Sequence, residues 1–244
     1  YNTAVGRNAL GANTTASSNS AFGLSAGGAI TTGTRNTAVG AFTLDAITTA
    51  DDCTAVGYNA LGAGSGSQNT AVGSKAADAL TTGSQNAVVG YEALTSATTG
   101  TYNSAVGFEA MKDATTASDC CAFGRQALAN LTTANSNCAF GSVALFTQTD
   151  GGTKNCAFGN STLYSNTTGD SNCAFGDAAL YTNTTGTRNI AIGDYAMGVN
   201  TTGNYNIAIG YGALDANTTA GNNVAIGYLA LSANTTADNN TALG

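Results

Sequence analysis

A five-residue motif, Asn-x-Ala-apolar-Gly, recurs every 17 residues along the whole chain, and this limits what the chain can fold into. Asn2-Thr3-Ala4-Val5-Gly6 returns as Asn19-Ser20-Ala21-Phe22-Gly23, then as Asn36-Thr37-Ala38-Val39-Gly40, and so on to Asn240-Thr241-Ala242-Leu243-Gly244. Repeats start at 2, 19, 36, 53, 69, 86, 103, 120, 137, 155, 172, 189, 206, 223 and 240, so 244 residues hold fourteen full repeats and the opening of a fifteenth. Numbered from the Asn, the consensus is Asn-x-Ala-apolar-Gly-x-x-Ala-Leu-x-x-x-Thr-Thr-Gly-x-x. A unit this short cannot bury an apolar face alone and must stack on its neighbours. Residues 1–244 therefore read as one repeat array, with no polar capping repeat at either end. It is expected either to be cut from a longer fibre or to stack end to end on other copies.

Two repeats change length: the one starting at Cys53 has 16 residues and the one starting at Asn137 has 18. Both lose Thr-Thr, in the segments 62–68 (Gly-Ala-Gly-Ser-Gly-Ser-Gln, with Ser65 at its centre) and 147–152 (Thr-Gln-Thr-Asp-Gly-Gly). Length changes fall in turns, so the second half of the unit holds a turn and the Asn-x-Ala-apolar-Gly half is the rigid part.

Known helical repeats run about 33–47 residues, too long for this period. The Thr, Val, Ile and Phe around the invariant Gly favour strands. Positions two and four share one face of a strand, and they vary together: Thr with Val, Ser or Cys with Phe, Ile or Val with Ile. Such pairing suits neighbours filling one packed layer. It predicts a core of Val5, Phe22, Val39, Val56, Val72, Val89, Val106, Phe123, Phe140, Phe158, Phe175, Ile192, Ile209 and Ile226, closed by Leu at position nine from a second short strand. Ala at position three and Gly at position five then face away. Their stripe is either where the walls of one coil press together or a contact between chains.

The fold class follows: all-β, a parallel β-solenoid with one coil per 17 residues and about 14 coils. At ~4.8 Å per coil the stack would be roughly 67 Å long. Position one is Asn in thirteen of fifteen copies, a candidate amide ladder. Stacking also accounts for the low charge, 9% of residues, because a charge at a fixed position would face its own copy about 5 Å away. Charges accordingly do not repeat: Arg35 and Asp52 share a turn position in successive repeats, as do Arg188 and Tyr205.

Composition excludes several functions. With no His, the commonest general base and metal ligand are missing. A net charge of −7 with seven basic residues is not a nucleic-acid footprint. No apolar run approaches the ~20 residues of a membrane span, and residues 1–10 do not read as a signal peptide. The fourteen Asp and Glu form no repeated pair, so neither a carboxylate dyad nor a Ca²⁺-binding repeat is expected. The expectation is a non-enzyme without cofactor or metal.

Asn-x-Ala-(Val/Ile/Phe)-Gly-x-x-Ala at short period resembles the head repeats of trimeric autotransporter adhesins, whose unit is usually about three residues shorter. The longer form with Ala-Leu-x-x-Asn-Thr-Thr-Gly is similar to repeats of bacterial and phage tail-fibre-like proteins. The resemblance covers the whole chain. It implies a left-handed parallel β-roll and a homotrimer around a common axis; neither follows from the spacing.

Four features could carry chemistry. Cys121, Cys138, Cys156 and Cys173 hold position two in four successive repeats, while Cys53 and Cys120 hold position one. Coil spacing lies inside the disulfide range, so Cys121–Cys138 and Cys156–Cys173 are either bridges or buried thiols beside Phe. Asn13, Asn166, Asn183, Asn200, Asn217 and Asn234 precede Thr-Thr, and Asn130, Asn160 and Asn239 also fit N-x-[ST]. These nine are candidate glycosylation acceptors or simply turn formers. Thr-Thr occurs in twelve of fourteen repeats, but adjacent residues diverge in a strand, unlike a Thr-x-Thr ice-binding face. Position six carries Tyr58, Tyr91, Phe108, Tyr211 and Tyr228, interrupted by Ser74, Asn160, Asp177 and Asp194. The function expected is a segment of an extracellular or cell- or virion-surface fibre that self-associates as a homotrimer, an end-to-end polymer or both. The alternatives are an adhesin binding glycan or protein through its flank and, third, an ice-binding solenoid.

Overall fold

The computed structural model describes every residue except Ser65, so the centre of the shortened turn at 62–68 lies outside the described residues. The chain forms two compact units, Tyr1–Cys120 and Cys121–Gly244. The first holds seven strands, from β1 (Thr3–Val5) to β7 (Ser104–Val106), and the second holds eight, from β8 (Cys121–Phe123) to β15 (Thr241–Leu243). Each strand is three residues long and covers positions two to four of its repeat. Within each unit, strands pair in parallel with the same positions of the next coil: Thr3 with Ser20, Ala4 with Ala21, Val5 with Phe22, and Cys121 with Cys138, Ala122 with Ala139, Phe123 with Phe140. Both units are thus parallel β-solenoids with the expected coil.

The glycine at position five ends each strand. Its φ runs from +112° to +144° across the repeats, a region that only glycine enters freely. A Cβ on Gly176 would lie 2.6 Å from the carbonyl carbon and oxygen of Gly193 in the next coil, so the column is also a close backbone approach. The rest of the coil is turns. Residues at positions seven, nine and seventeen are left-handed, as at Asn59 (φ 54°), Leu61 (φ 50°) and Asn239 (φ 61°). Leu10 N–H still bonds the Ala26 carbonyl of the next coil at 3.0 Å. The second short strand expected around Leu at position nine is absent among the described residues. The left-handed turns there replace extended backbone while keeping coil-to-coil hydrogen bonds.

The core lies on the opposite strand face from the one expected. Ala at position three is buried (Ala21, Ala55, Ala122 and Ala139 are fully enclosed), together with Ala at position eight and Leu44, Leu61, Leu94, Leu128 and Leu163 at position nine. Val5, Phe22, Val39, Val56, Val72, Val89, Val106, Phe123, Phe140, Phe158, Phe175, Ile192, Ile209 and Ile226 are half-buried or exposed; the core assignment is corrected accordingly. In a coil this small, the strand approaches the facing turn closely enough to favour Ala, with Val88 the one larger residue buried at that position, while Leu at nine and the residue at twelve fill the remaining space. Because side chains alternate with period two, placing Ala inward turns positions two and four outward. The small-residue stripe is thus where the walls of one coil meet.

The Asn at position one clamps each coil to the next. Asn36 N–H donates to Asn19 Oδ1 at 2.8 Å, and Asn36 Nδ2 donates to the Ala50 carbonyl at 2.8 Å, closing its own coil. Cys53 breaks the column, and its thiol donates instead to the Gly66 carbonyl at 3.3 Å.

Candidate functional site

With Ala inside, the side chains at positions two and four make the outer surface of each strand stack. In unit 2 they form two adjacent columns: Cys121, Cys138, Cys156 and Cys173, then Ile190, Ile207 and Val224, beside Phe123, Phe140, Phe158 and Phe175, then Ile192, Ile209 and Ile226. The four Phe rings stack nearly parallel, with centroids 4.7, 4.6 and 4.7 Å apart. This side-by-side packing on the outer face accounts for the size covariation of positions two and four. Phe22 and Ile192 each keep 41% of their surface in contact with solvent. A continuous outward apolar face of this kind is what interaction surfaces look like.

All six cysteines are free thiols. In-register pairing sets Cys138 between Cys121 and Cys156. Partial burial and then its two neighbouring thiols push the Cys138 thiol up to about 12, and burial also raises Cys173 and Cys53. These are protonated, poorly nucleophilic sulfurs. Neither Cys121–Cys138 nor Cys156–Cys173 is bridged in this structure.

Four of the nine candidate glycosylation residues are corrected. Asn166, Asn183, Asn200 and Asn217 are fully buried. They form a second amide ladder in unit 2, with Asn183 Nδ2 to Asn166 Oδ1 at 2.8 Å, Asn200 Nδ2 to Asn183 Oδ1 at 2.8 Å and Asn217 Nδ2 to Asn200 Oδ1 at 2.9 Å. A folded chain offers no amide nitrogen there for a glycan. In other repeats the same slot holds Ile30, Ile47, Leu80 and Leu131, also fully buried. Asn160 and Asn239 are exposed, and Asn13, Asn130 and Asn234 are half-buried. Asn13 Nδ2 is buried without a hydrogen-bond partner, its place in the next coil being taken by Ile30.

The Thr-Thr pair splits as expected. The first hydroxyl donates to the backbone of the next coil, as from Thr184 to the Thr201 carbonyl at 3.0 Å, while the second, Thr185, is exposed. The position-six aromatics Tyr58, Tyr91, Phe108, Tyr211 and Tyr228 are exposed. Tyr91 stacks on Phe108 (5.5 Å) and Tyr211 on Tyr228 (5.6 Å). The turn charges pair between coils: Arg35 makes a bidentate contact with Asp52 at 2.6 and 2.9 Å, and the Arg188 guanidinium lies 5.3 Å from the Tyr205 ring centre. A third aromatic column, Phe146, Tyr164 and Tyr181 at position ten, was not singled out from the sequence. Its signal was three consecutive aromatics at one repeat position. Among the described residues, no helix is long and apolar enough to cross a membrane.

No known protein-family model matches the chain, and no curated protein matches it either.

Proposed function

We propose that the chain is a structural segment of an extracellular or surface fibre, in which copies of the chain cover one another's outward strand face. The observation that carries this reading is the pair of outward apolar columns at positions two and four. Water-exposed Phe, Ile and Val in register over successive coils gain free energy when a second apolar surface displaces the water. Those columns carry no charge, so no like-charged rows oppose close approach of two copies. The resemblance to adhesin head repeats implies three chains. Away from this face, Asn, Thr, Ser and Gly keep the surface hydrated at low charge. The role is mechanical: repeat number sets length, and the two amide ladders resist coil opening.

The test is the mass in solution, by sedimentation or light scattering, of the native chain and of Phe140→Glu and Ile209→Glu. The native chain is expected at three times 23.9 kDa or in larger multiples. Both variants are expected at the single-chain mass with an unchanged far-ultraviolet spectrum. A native chain that stays monomeric at about 100 μM, well above the Kd of a stable interface, refutes the proposal. So do variants that assemble as the native chain does.

A further inference from the structure

We infer that unit 2 carries a saccharide site, in which a neutral pyranose ring fills the gap that Gly198 leaves in the aromatic column at position ten. This is independent of whether copies of the chain associate. Phe146 stacks on Tyr164 with centroids 5.3 Å apart and planes 13° apart, and Tyr164 stacks on Tyr181 at 5.2 Å and 12°. In the next coil the position is Gly198, so the column stops and one face of Tyr181 has no ring against it; one coil further the position is Asp215. An open groove of about 420 Å³ lies there, walled by Tyr181, Thr182, Tyr195, Val199, Asp177 and Asp215. Small-molecule sites span roughly 300–1,000 Å³.

The dimensions suit one ring. Two coil spacings separate the backbone positions of Tyr181 and Asp215, about 10 Å. A ring one spacing from Tyr181 sits level with Gly198, in line with the stacked column. Tyr181 is 37% and Tyr195 48% exposed, so both present ring surface to the groove. A pyranose has a C–H face and a rim of hydroxyl donors. The C–H face meets the electron-rich face of Tyr181, and the hydroxyls meet acceptors. Asp177 uses one oxygen to accept from Asn160 Nδ2 at 3.0 Å, and a carboxylate retains further lone pairs. Asp215 supplies a second carboxylate, whose Oδ1 leans back to 3.2 Å from where a Cβ on Gly198 would lie. Thr182 donates its own proton to the Gly198 carbonyl at 3.0 Å, which leaves its oxygen as an acceptor.

Charge decides which sugars fit. Asp177 and Asp215 line the groove, Asp194 stands beside Asp177 and accepts its backbone N–H at 3.0 Å, and no Lys or Arg is among the lining residues. Sialic and uronic acids would be repelled, whereas neutral hexoses find only hydroxyl acceptors.

The experiment is ligand-observed saturation-transfer NMR with calorimetry on the full chain, using maltotriose, cellotriose and mannotriose, with sialyllactose as the anionic control. At least one neutral trisaccharide should bind with a Kd of about 1 mM, as expected for a single stacked ring with a few hydrogen bonds. Tyr181→Ala should weaken binding about tenfold or more. Gly198→Tyr should do the same by completing the column with a protein ring. That variant tests the site with the fold kept: the φ of Gly198 lies outside the left-handed region, and the nearest atoms to an added Cβ are Asp215 Oδ1 at 3.2 Å and the Tyr195 carbonyl oxygen at 3.3 Å, neither in hard clash. An unchanged far-ultraviolet spectrum checks this. The inference is overturned if no neutral trisaccharide binds at about 10 mM, if Gly198→Tyr binds as well as the native chain, or if sialyllactose binds equally well.

Discussion

Replacing Asn200 with Leu isolates the energetic role of the buried amide ladder. Asn200 is fully buried. Its Nδ2 donates to Asn183 Oδ1 at 2.8 Å and to the Gly203 carbonyl at 3.2 Å, and its Oδ1 accepts from Asn217 Nδ2 at 2.9 Å. The Gly203 carbonyl keeps Asn189 Nδ2 at 2.8 Å, and Asn217 Nδ2 keeps the Ala220 carbonyl at 3.1 Å. Asn183 Oδ1 is stranded and Asn217 Nδ2 loses one of two acceptors, in a place water does not reach. Each stranded buried group costs about 1–3 kcal/mol, so the single change should cost about 2–4 kcal/mol in total. Leu itself fits, because Leu80 and Leu131 fill the same slot. The triple variant Asn183→Leu, Asn200→Leu, Asn217→Leu removes three amides but still has only two broken edges, at Asn166 and Asn234. It should cost no more than the single variant, about 2–4 kcal/mol, because removing both partners of a hydrogen bond is close to neutral. Urea unfolding followed by circular dichroism gives the global cost. Hydrogen exchange over residues 183–217 gives the local opening cost of those coils. A triple variant about three times as costly as the single would refute the edge argument, as would a single variant costing under about 0.5 kcal/mol.

Two further outcomes are expected. Gly176→Ala places a side chain at φ +133° with its Cβ 2.6 Å from the Gly193 carbonyl group; strain and clash together should cost about 3 kcal/mol or more, whereas Gly198→Ala should cost about 1 kcal/mol, because the backbone there is not left-handed and an added Cβ stays 3.2 Å from Asp215 Oδ1 and 3.3 Å from the Tyr195 carbonyl oxygen. Urea midpoints check both, and near-equal losses would contradict the close-approach reading. Burial and its thiol neighbours hold Cys138 near 12, above the free thiol's 9.0; the raised value favours the protonated native state, so this contribution is complete below pH 9 and is lost as pH rises from about 9 to 12. Urea midpoints should fall over that range by more in the native chain than in Cys138→Ser, and disulfide-exchange labelling of Cys138 at pH 8 should be slow. Rapid labelling in the folded state would refute the assignment.

The repeat itself dictated much of the fold. A 17-residue period with an invariant Gly and a Thr/Val-rich motif suffices for a parallel solenoid, because a unit that short has no other way to bury surface or satisfy its backbone. The Asn column at position one was equally legible, since only stacking sets one amide above another. The direction of the strand face was not. Period-two alternation constrains positions two, three and four equally well in either orientation, and covariation between Ser and Phe looks the same whether the pair packs inside or out. The distance between the coil walls decided it, and that distance is set by left-handed turns at positions seven and nine, occupied by residues such as Leu61 and Glu92 that do not signal φ > 0. The same closure buried Asn166, Asn183, Asn200 and Asn217, which a motif alone marks as surface turns. It also exposed one face of Tyr181, because only stacking reveals that Gly198 lies where the next ring would be.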